Sequence, residues 1–255
     1  MEPNALGKKV FFLYPPPVLT EVLQELINRE FEVYLARDHE RLKRVIAASP
    51  DAIVFIDLDE ELDDAGWEAY VKALRADEKT AGVGVGVLTL NDNDVLRERY
   101  LMGLQVQCGF VILKVGAAKT AEILVKTLEA NEARGRRKFV RAVCPPGTGQ
   151  CGIEHEGASL RAELTDLSSA GMAIRFEGDM NFRVGTVFKS IAISVKGQRV
   201  LASGFVAAQR AEESEGRVHV VMFAPNSLDD ARRDKLRGLV ARINQSSMDR
   251  LLETA

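Results

Sequence analysis

Between Lys9 and Asn131, short apolar runs alternate with stretches of helical spacing, and the alternation repeats five times. Val10-Phe11-Phe12-Leu13, entered from Lys9, is the pattern of a strand covered on both faces, and it stops at Tyr14-Pro15-Pro16-Pro17. Val18, Leu19, Val22, Leu23, Leu26 and Ile27 then recur at the period of a helix that buries one side. Proline suits the first turn of such a helix, where its missing N–H leaves nothing unpaired. The strand pattern returns at Phe31–Leu35, Ala52–Ile56, Val83–Leu88 and Gly109–Leu113. Helical spacing returns at Leu42, Val45 and Ile46, from Trp67 to Leu74, from Asn91 to Met102, and from Ala117 to about Asn131. Such a series predicts a flavodoxin-like, doubly wound parallel sheet whose right-handed crossovers gather the strand C-termini on one edge.

After Gln150 the period changes from helical to alternating. Ser159–Leu164, Gly171–Phe176, Thr186–Val195, Val200–Gln209 and Arg217–Phe223 read as strands joined by turns such as Lys196-Gly197. With no helix between them they predict an antiparallel barrel. Ser227–Leu252 closes the chain as a helix, with Ser227 as its cap and Leu236, Leu239, Val240, Ile243, Met248 and Leu251 along one stripe. The chain therefore reads as α/β plus all-β, with one domain over 1–134 and a second over 135–255. No Gly/Ser-rich tether separates them, so the fifth helix is expected to run on through Arg134 and deliver Arg136 and Arg137.

Composition narrows the function classes. A chain of 255 residues, 46% hydrophobic and 28% charged, belongs with folded proteins. Its net charge of −3 argues against a general nucleic-acid coat, so no DNA partner is expected and any phosphate binding must be local. No apolar run reaches the roughly eighteen residues that a membrane span needs, and Met1–Lys9 lacks the order of a secretion leader. A cytoplasmic protein without membrane insertion is expected. Cys108, Cys144 and Cys151 are an odd set with reduced thiols as the default and a Cys144–Cys151 loop disulfide as the oxidised alternative. Their spacing, with only His155 nearby, does not suit zinc, and no metal is expected. His39 and His219 read as structural or surface residues.

Two segments do not look like core. Arg136-Arg137-Lys138-Phe139-Val140-Arg141 concentrates three guanidinium groups and an ammonium, and Asp166-Leu167-Ser168-Ser169-Ala170-Gly171 puts a carboxylate, a hydroxyl and a glycine in sequence. Guanidinium matches phosphate oxygens and the O6/N7 edge of guanine, while a carboxylate accepts from the N1–H and N2–H donors of the same base. Singly, each segment reads as a solvated face or a turn. Together they suit an anionic purine ligand.

The pair resembles the signature of the PilZ domain family, bacterial receptors for cyclic di-GMP, over roughly the last 120 residues. Arg137 and Arg141 match its Arg-x-x-x-Arg element; Asp166, Ser168 and Gly171 match its Asp/Asn-x-Ser-x-x-Gly element. The resemblance implies a non-catalytic receptor that binds cyclic di-GMP and signals by conformational change. Arg137 and Arg141 would take phosphate and guanine Hoogsteen edges, with Arg136 as a further contact. Asp166 and Ser168 would hold a guanine edge, and Gly171 would keep the path open. It also implies a protein partner, with motility, polysaccharide and adhesion machinery all open. The alternative is a ligand-independent interaction adaptor.

The first half resembles a response-regulator receiver domain, with Asp57 after the third strand, Thr89 after the fourth and Lys114 after the fifth. It departs at strand one, where the family's acidic pair is replaced by Tyr14-Pro15. Without that pair Mg²⁺ lacks ligands, so the resemblance implies a degenerate receiver. Asp57 and Lys114 are expected to form a structural pair, and the acidic run Asp59–Asp64 a solvated loop.

Overall fold

The structure, a computed structural model, describes residues 7–178, 180–212 and 216–255. Residues 1–6, on which most of the reading of the N-terminus falls, lie outside the described residues. The chain divides into two compact units, Met1–Lys138 with Gln245–Ala255, and Phe139–Asn244.

In the first unit β1 (Lys9–Leu13), β2 (Glu32–Ala36), β3 (Ile53–Asp57), β4 (Gly84–Thr89) and β5 (Phe110–Ile112) alternate with α1 (Thr20–Asn28), α2 (His39–Ile46), α3 (Asp64–Ala76), α4 (Asp94–Glu98) and α5 (Ala117–Ala130). All neighbouring strands run parallel in the order β2-β1-β3-β4-β5, the flavodoxin-like order that the alternation predicts. Successive strand residues face opposite sides. Phe12 accordingly packs with Val22 and Leu26 of α1 and Leu124 of α5, while Phe11 packs with Leu42 of α2 and Trp67 and Leu74 of α3. Both faces are covered, so the strands read as unbroken apolar runs.

Three helix boundaries differ from expectation. The fourth helical stretch is a short α4, capped by Asn93 Oδ1 accepting from Val95 and Leu96 N–H at 2.9 and 3.2 Å, that passes into a π-helical turn over Arg99–Gly103. The fifth ends at Ala130, where the Asn131 side chain donates to Thr127 O at 2.8 Å. Glu132 then takes a left-handed backbone, φ +52°, and turns the chain. Arg136 and Arg137 are therefore not carried on a continuous helix. The third correction is the cap of the last helix, α6 (Asp230–Thr254): Asp229 Oδ1, not Ser227, accepts from Arg232 N–H at 2.8 Å.

The second unit contains β6 (Arg141–Val143), β7 (Gly149–His155), β8 (Ala158–Ser168), β9 (Gly171–Phe176), β10 (Val187–Val195), β11 (Gln198–Glu212) and β12 (Gly216–Phe223). Six of these close in the order β8-β7-β10-β11-β12-β9 and back to β8, every pairing antiparallel. β8 is long enough to hold β7 along its first half and β6 along its last three residues on the same edge. The interior is filled by residues such as Leu164, Ile174, Phe188, Ile193 and Val206, with Leu236, Leu239, Val240 and Ile243 of α6 packed into the same core. Beyond Asn244 the helix belongs to the first unit, where Met248 joins the α/β core.

All three cysteines are buried free thiols, and burial raises those of Cys144 and Cys151 to about 12. His219 is buried in the barrel, where Nε2 accepts from Phe182 N–H at 3.2 Å. No described helix is long and apolar enough to cross a membrane.

Candidate ligand-binding site

β6 exists because Ala142 can enter the barrel core. In its antiparallel pairing with β8, Arg141 stands opposite Ser168, Ala142 opposite Leu167, and Val143 opposite Asp166. Ala142 and Leu167 are fully buried, so the alternation turns Arg141, Val143, Asp166 and Ser168 to the outer face. Directly opposed side chains in such a ladder stand about 5 Å apart at Cβ, so guanidinium, carboxylate and hydroxyl share one patch. Asp166 also makes itself felt through the wall, since its charge adds to burial in raising the Cys144 thiol. Val143 completes the patch as an apolar residue 73% exposed. Its place on the face follows from standing two positions after Arg141 on β6, opposite Asp166.

Ser168 and Gly171 have structural work as well. The Ser168 hydroxyl donates to Gly171 O at 3.0 Å and accepts from Ala170 and Gly171 N–H at 3.3 and 3.2 Å, closing the turn between β8 and β9. These bonds leave Ser168 only 5% exposed. At Gly171 a Cβ would fall 2.4 Å from Val221 O, so the close approach that this glycine permits is to the neighbouring strand β12. From the other side, Asn244 of α6 donates through Nδ2 to Arg141 O at 3.1 Å. That bond was not foreseeable, because it joins residues far apart in the chain.

Within the second unit the fold thus brings Arg141, Asp166, Ser168 and Gly171 together. Arg136 and Arg137 fold with the first unit. There the charge of Arg137 acts on Glu32, whose carboxyl is raised by burial and lowered in turn by a 2.5 Å hydrogen bond from Tyr34 Oη and by the fields of Lys9 and Arg137.

At the C-terminal edge of the first unit's sheet the expected phosphoacceptor position is buried. Asp57 is 1% exposed; its Oδ1 accepts from Asp59 N–H at 3.2 Å, and its Oδ2 has no partner among the described residues. Burial, with the charges of Asp59 and Glu60, raises its carboxyl to about 6 against the Asp59 N–H bond. The expected Asp57–Lys114 pair is not made among the described residues, for Lys114 lies exposed on the turn after β5. Thr89 instead donates to Asp59 Oδ1 at 2.6 Å, and Leu90 N–H to its other oxygen at 2.5 Å. Asp63 caps α3, accepting from Gly66 N–H at 2.8 Å, so part of the acidic run is structural. Where an acidic pair would stand, Tyr14 packs against His39 and Trp67 and hydrogen-bonds His39 Nδ1 at 3.1 Å. No group of three or more metal-capable side chains is found among the described residues.

Residues 135–242 match the model of the PilZ domain. The match spans the whole barrel and about the first half of α6. Among solved structures, the PilZ domain with c-di-GMP of YcgR from Escherichia coli is similar at 16% identity and a TM-score of 0.38, over 45% of this chain and 96% of that one. YcgR from Escherichia coli in complex with c-di-GMP is similar at 17% identity and a TM-score of 0.41, over 48% of this chain and 52% of that one. The chain thus spans about half the length of that longer relative. The RcsB response regulator of Salmonella typhimurium is similar at 20% identity and a TM-score of 0.37, over 52% of this chain and 64% of that one. No curated protein matches this chain. The strand order of the first unit is the flavodoxin-like one, with Tyr14-Pro15 after β1.

Proposed function

We propose that this chain is a cyclic di-GMP receptor, divided functionally at Gly135, where the PilZ match begins. The observation that carries the reading is the outward patch on β6 and β8, with Arg141 opposite Ser168 and Asp166 on the same face. Arg141 supplies a planar fork for phosphate or a guanine Hoogsteen edge, and Asp166 an acceptor for the guanine N1–H and N2–H donors. Arg136 and Arg137 add cationic contacts, Ser168 holds the turn that sets Asp166, and Gly171 lets β9 and β12 approach behind it. Charge-assisted hydrogen bonds contribute about 1.5–3 kcal/mol each, so Arg141→Ala should weaken binding roughly tenfold or more. Calorimetric titration of wild type and variant with cyclic di-GMP tests this. An unchanged affinity in the variant would remove the site assignment.

The output is a conformational change read by a protein partner. α6 supplies Asn244 to the second unit, bonded to the carbonyl of Arg141, and Gln245 to the first, bonded to Leu35 N and O at 2.8 and 2.9 Å. Ligand at Arg141 is expected to change hydrogen exchange along α6; exchange that stays the same from Asp230 to Thr254 argues against this route. The receiver-like unit takes no phosphoryl group, because Asp57 is sealed from solvent and Tyr14 fills the place of a metal-binding acid. Incubation with a small phosphodonor and Mg²⁺ should leave the intact mass unchanged, and a stoichiometric adduct at Asp57 would contradict it.

A further inference from the structure

The outward face of the PilZ barrel continues past the motif. On the far side of the Ser168 turn, Gly171 stands opposite Met222 on β12, Met222 opposite Phe205 on β11, and Phe205 opposite Val187 on β10. Their chain neighbours Met172, Val221, Val206 and Phe188 are all buried in the core, which turns this row outward. One outer row therefore runs from Arg141 through Ser168 and Gly171 to Met222 and Phe205, each on the strand beside the last. Water-facing strand positions ordinarily carry polar side chains. Here a thioether and a phenyl ring, each 38% exposed, hold adjacent places. The Met222 sulfur lies 3.3 Å from where a Cβ on Gly171 would be, directly against the motif glycine.

We infer that Met222 and Phe205 form an apolar shelf that receives one purine ring of the bound dinucleotide. The inference rests on the receptor reading above and extends it to what covers the base. Strands are spaced about 4.8 Å, so the shelf begins one strand beyond the Ser168–Gly171 turn. Thioether sulfur and an aromatic ring both make favourable contacts with the π-face of a base. Such contacts are indifferent to base identity. The shelf thus supplies affinity for purines in general, while Asp166 supplies the preference for guanine. It also gives Gly171 a reason on the outer face: any side chain there would displace Met222.

The full-length protein labelled with ¹³C at its methionine methyls tests the shelf, with the Met222 signal assigned by Met222→Leu. On addition of cyclic di-GMP the Met222 methyl is expected to move upfield, as a methyl under an aromatic ring does. In calorimetry, below the unfolding transition of each variant, Phe205→Ala is expected to lose about tenfold in affinity, and Phe205→Tyr to retain binding. If the wild type binds while the Met222 methyl stays in place, or while Phe205→Ala keeps full affinity, the shelf is overturned and the receptor reading stands. If the wild type itself gives no binding in calorimetry, the receptor reading fails and the shelf with it.

Discussion

A methyl group added at Gly171 would meet the Val221 carbonyl at 2.4 Å, so Gly171→Ala must push β9 and β12 apart. Overpacking of this kind costs about 1–3 kcal/mol, and a lower urea midpoint with unchanged slope is the expected outcome. A midpoint equal to that of the wild type would mean that the barrel yields freely there. The six-residue motif was legible as letters, but this role of its glycine was not, because β12 enters fifty residues later. Asp57 gives a prediction of opposite sense. Its folded pKa, about 6, lies above the ordinary 3.8, so the folded state holds the proton more tightly than the unfolded one. The penalty is absent below about pH 4, grows as pH rises through the window, and above about pH 6 reaches at most about 3 kcal/mol. Asp57→Asn has no charge to bury and should lose that fall in stability, which urea unfolding at a series of pH values would read. Equal pH slopes in both proteins would place the titrating group elsewhere.

At the scale of elements, what the sequence left illegible has a common cause. β6 presents a single inward residue, Ala142, and β7 opens on Gly149 and carries Gly152 within it, so neither shows enough alternation to be read as a strand. Yet β6 is the strand that aims Arg141. By contrast β1, β3 and β4 lie between helices on both faces and were plain as apolar runs. The expected run of α5 on through Arg134 fails because Asn131 and Glu132 turn the chain without the glycine that usually announces such a turn. β2 lies at the edge of its sheet, where backbone groups need cover, and Gln245 provides it at Leu35 N and O. Two bonds at roughly 0.5–1.5 kcal/mol each put the cost of Gln245→Ala at about 1–3 kcal/mol. Hydrogen exchange should then quicken at the Leu35 amide in particular, whereas protection there as in the wild type would show that the edge is covered by other means.

The whole molecule has separate cores. Phe11, Phe12 and Trp67 belong to clusters confined to the first unit, and Leu164, Ile174 and Phe188 to one confined to the second. This much the sequence made plain, because a helical period gives way to an alternating one near Gln150. It did not show that α6 is divided, since Leu239, Val240 and Ile243 and then Met248 read as one stripe although they enter different cores. Units with cores of their own can unfold in separate steps. A ligand held chiefly on β6 and β8 stabilises mainly the unit that carries those strands, by about 2.7 kcal/mol at a hundredfold excess over Kd. Scanning calorimetry is therefore expected to resolve two transitions, of which cyclic di-GMP raises one. At the same ligand concentration Arg141→Ala should cut the rise by about half or more and leave the other transition where it was. A single transition that moves as a whole with ligand would mean that α6 fuses the two cores into one cooperative unit.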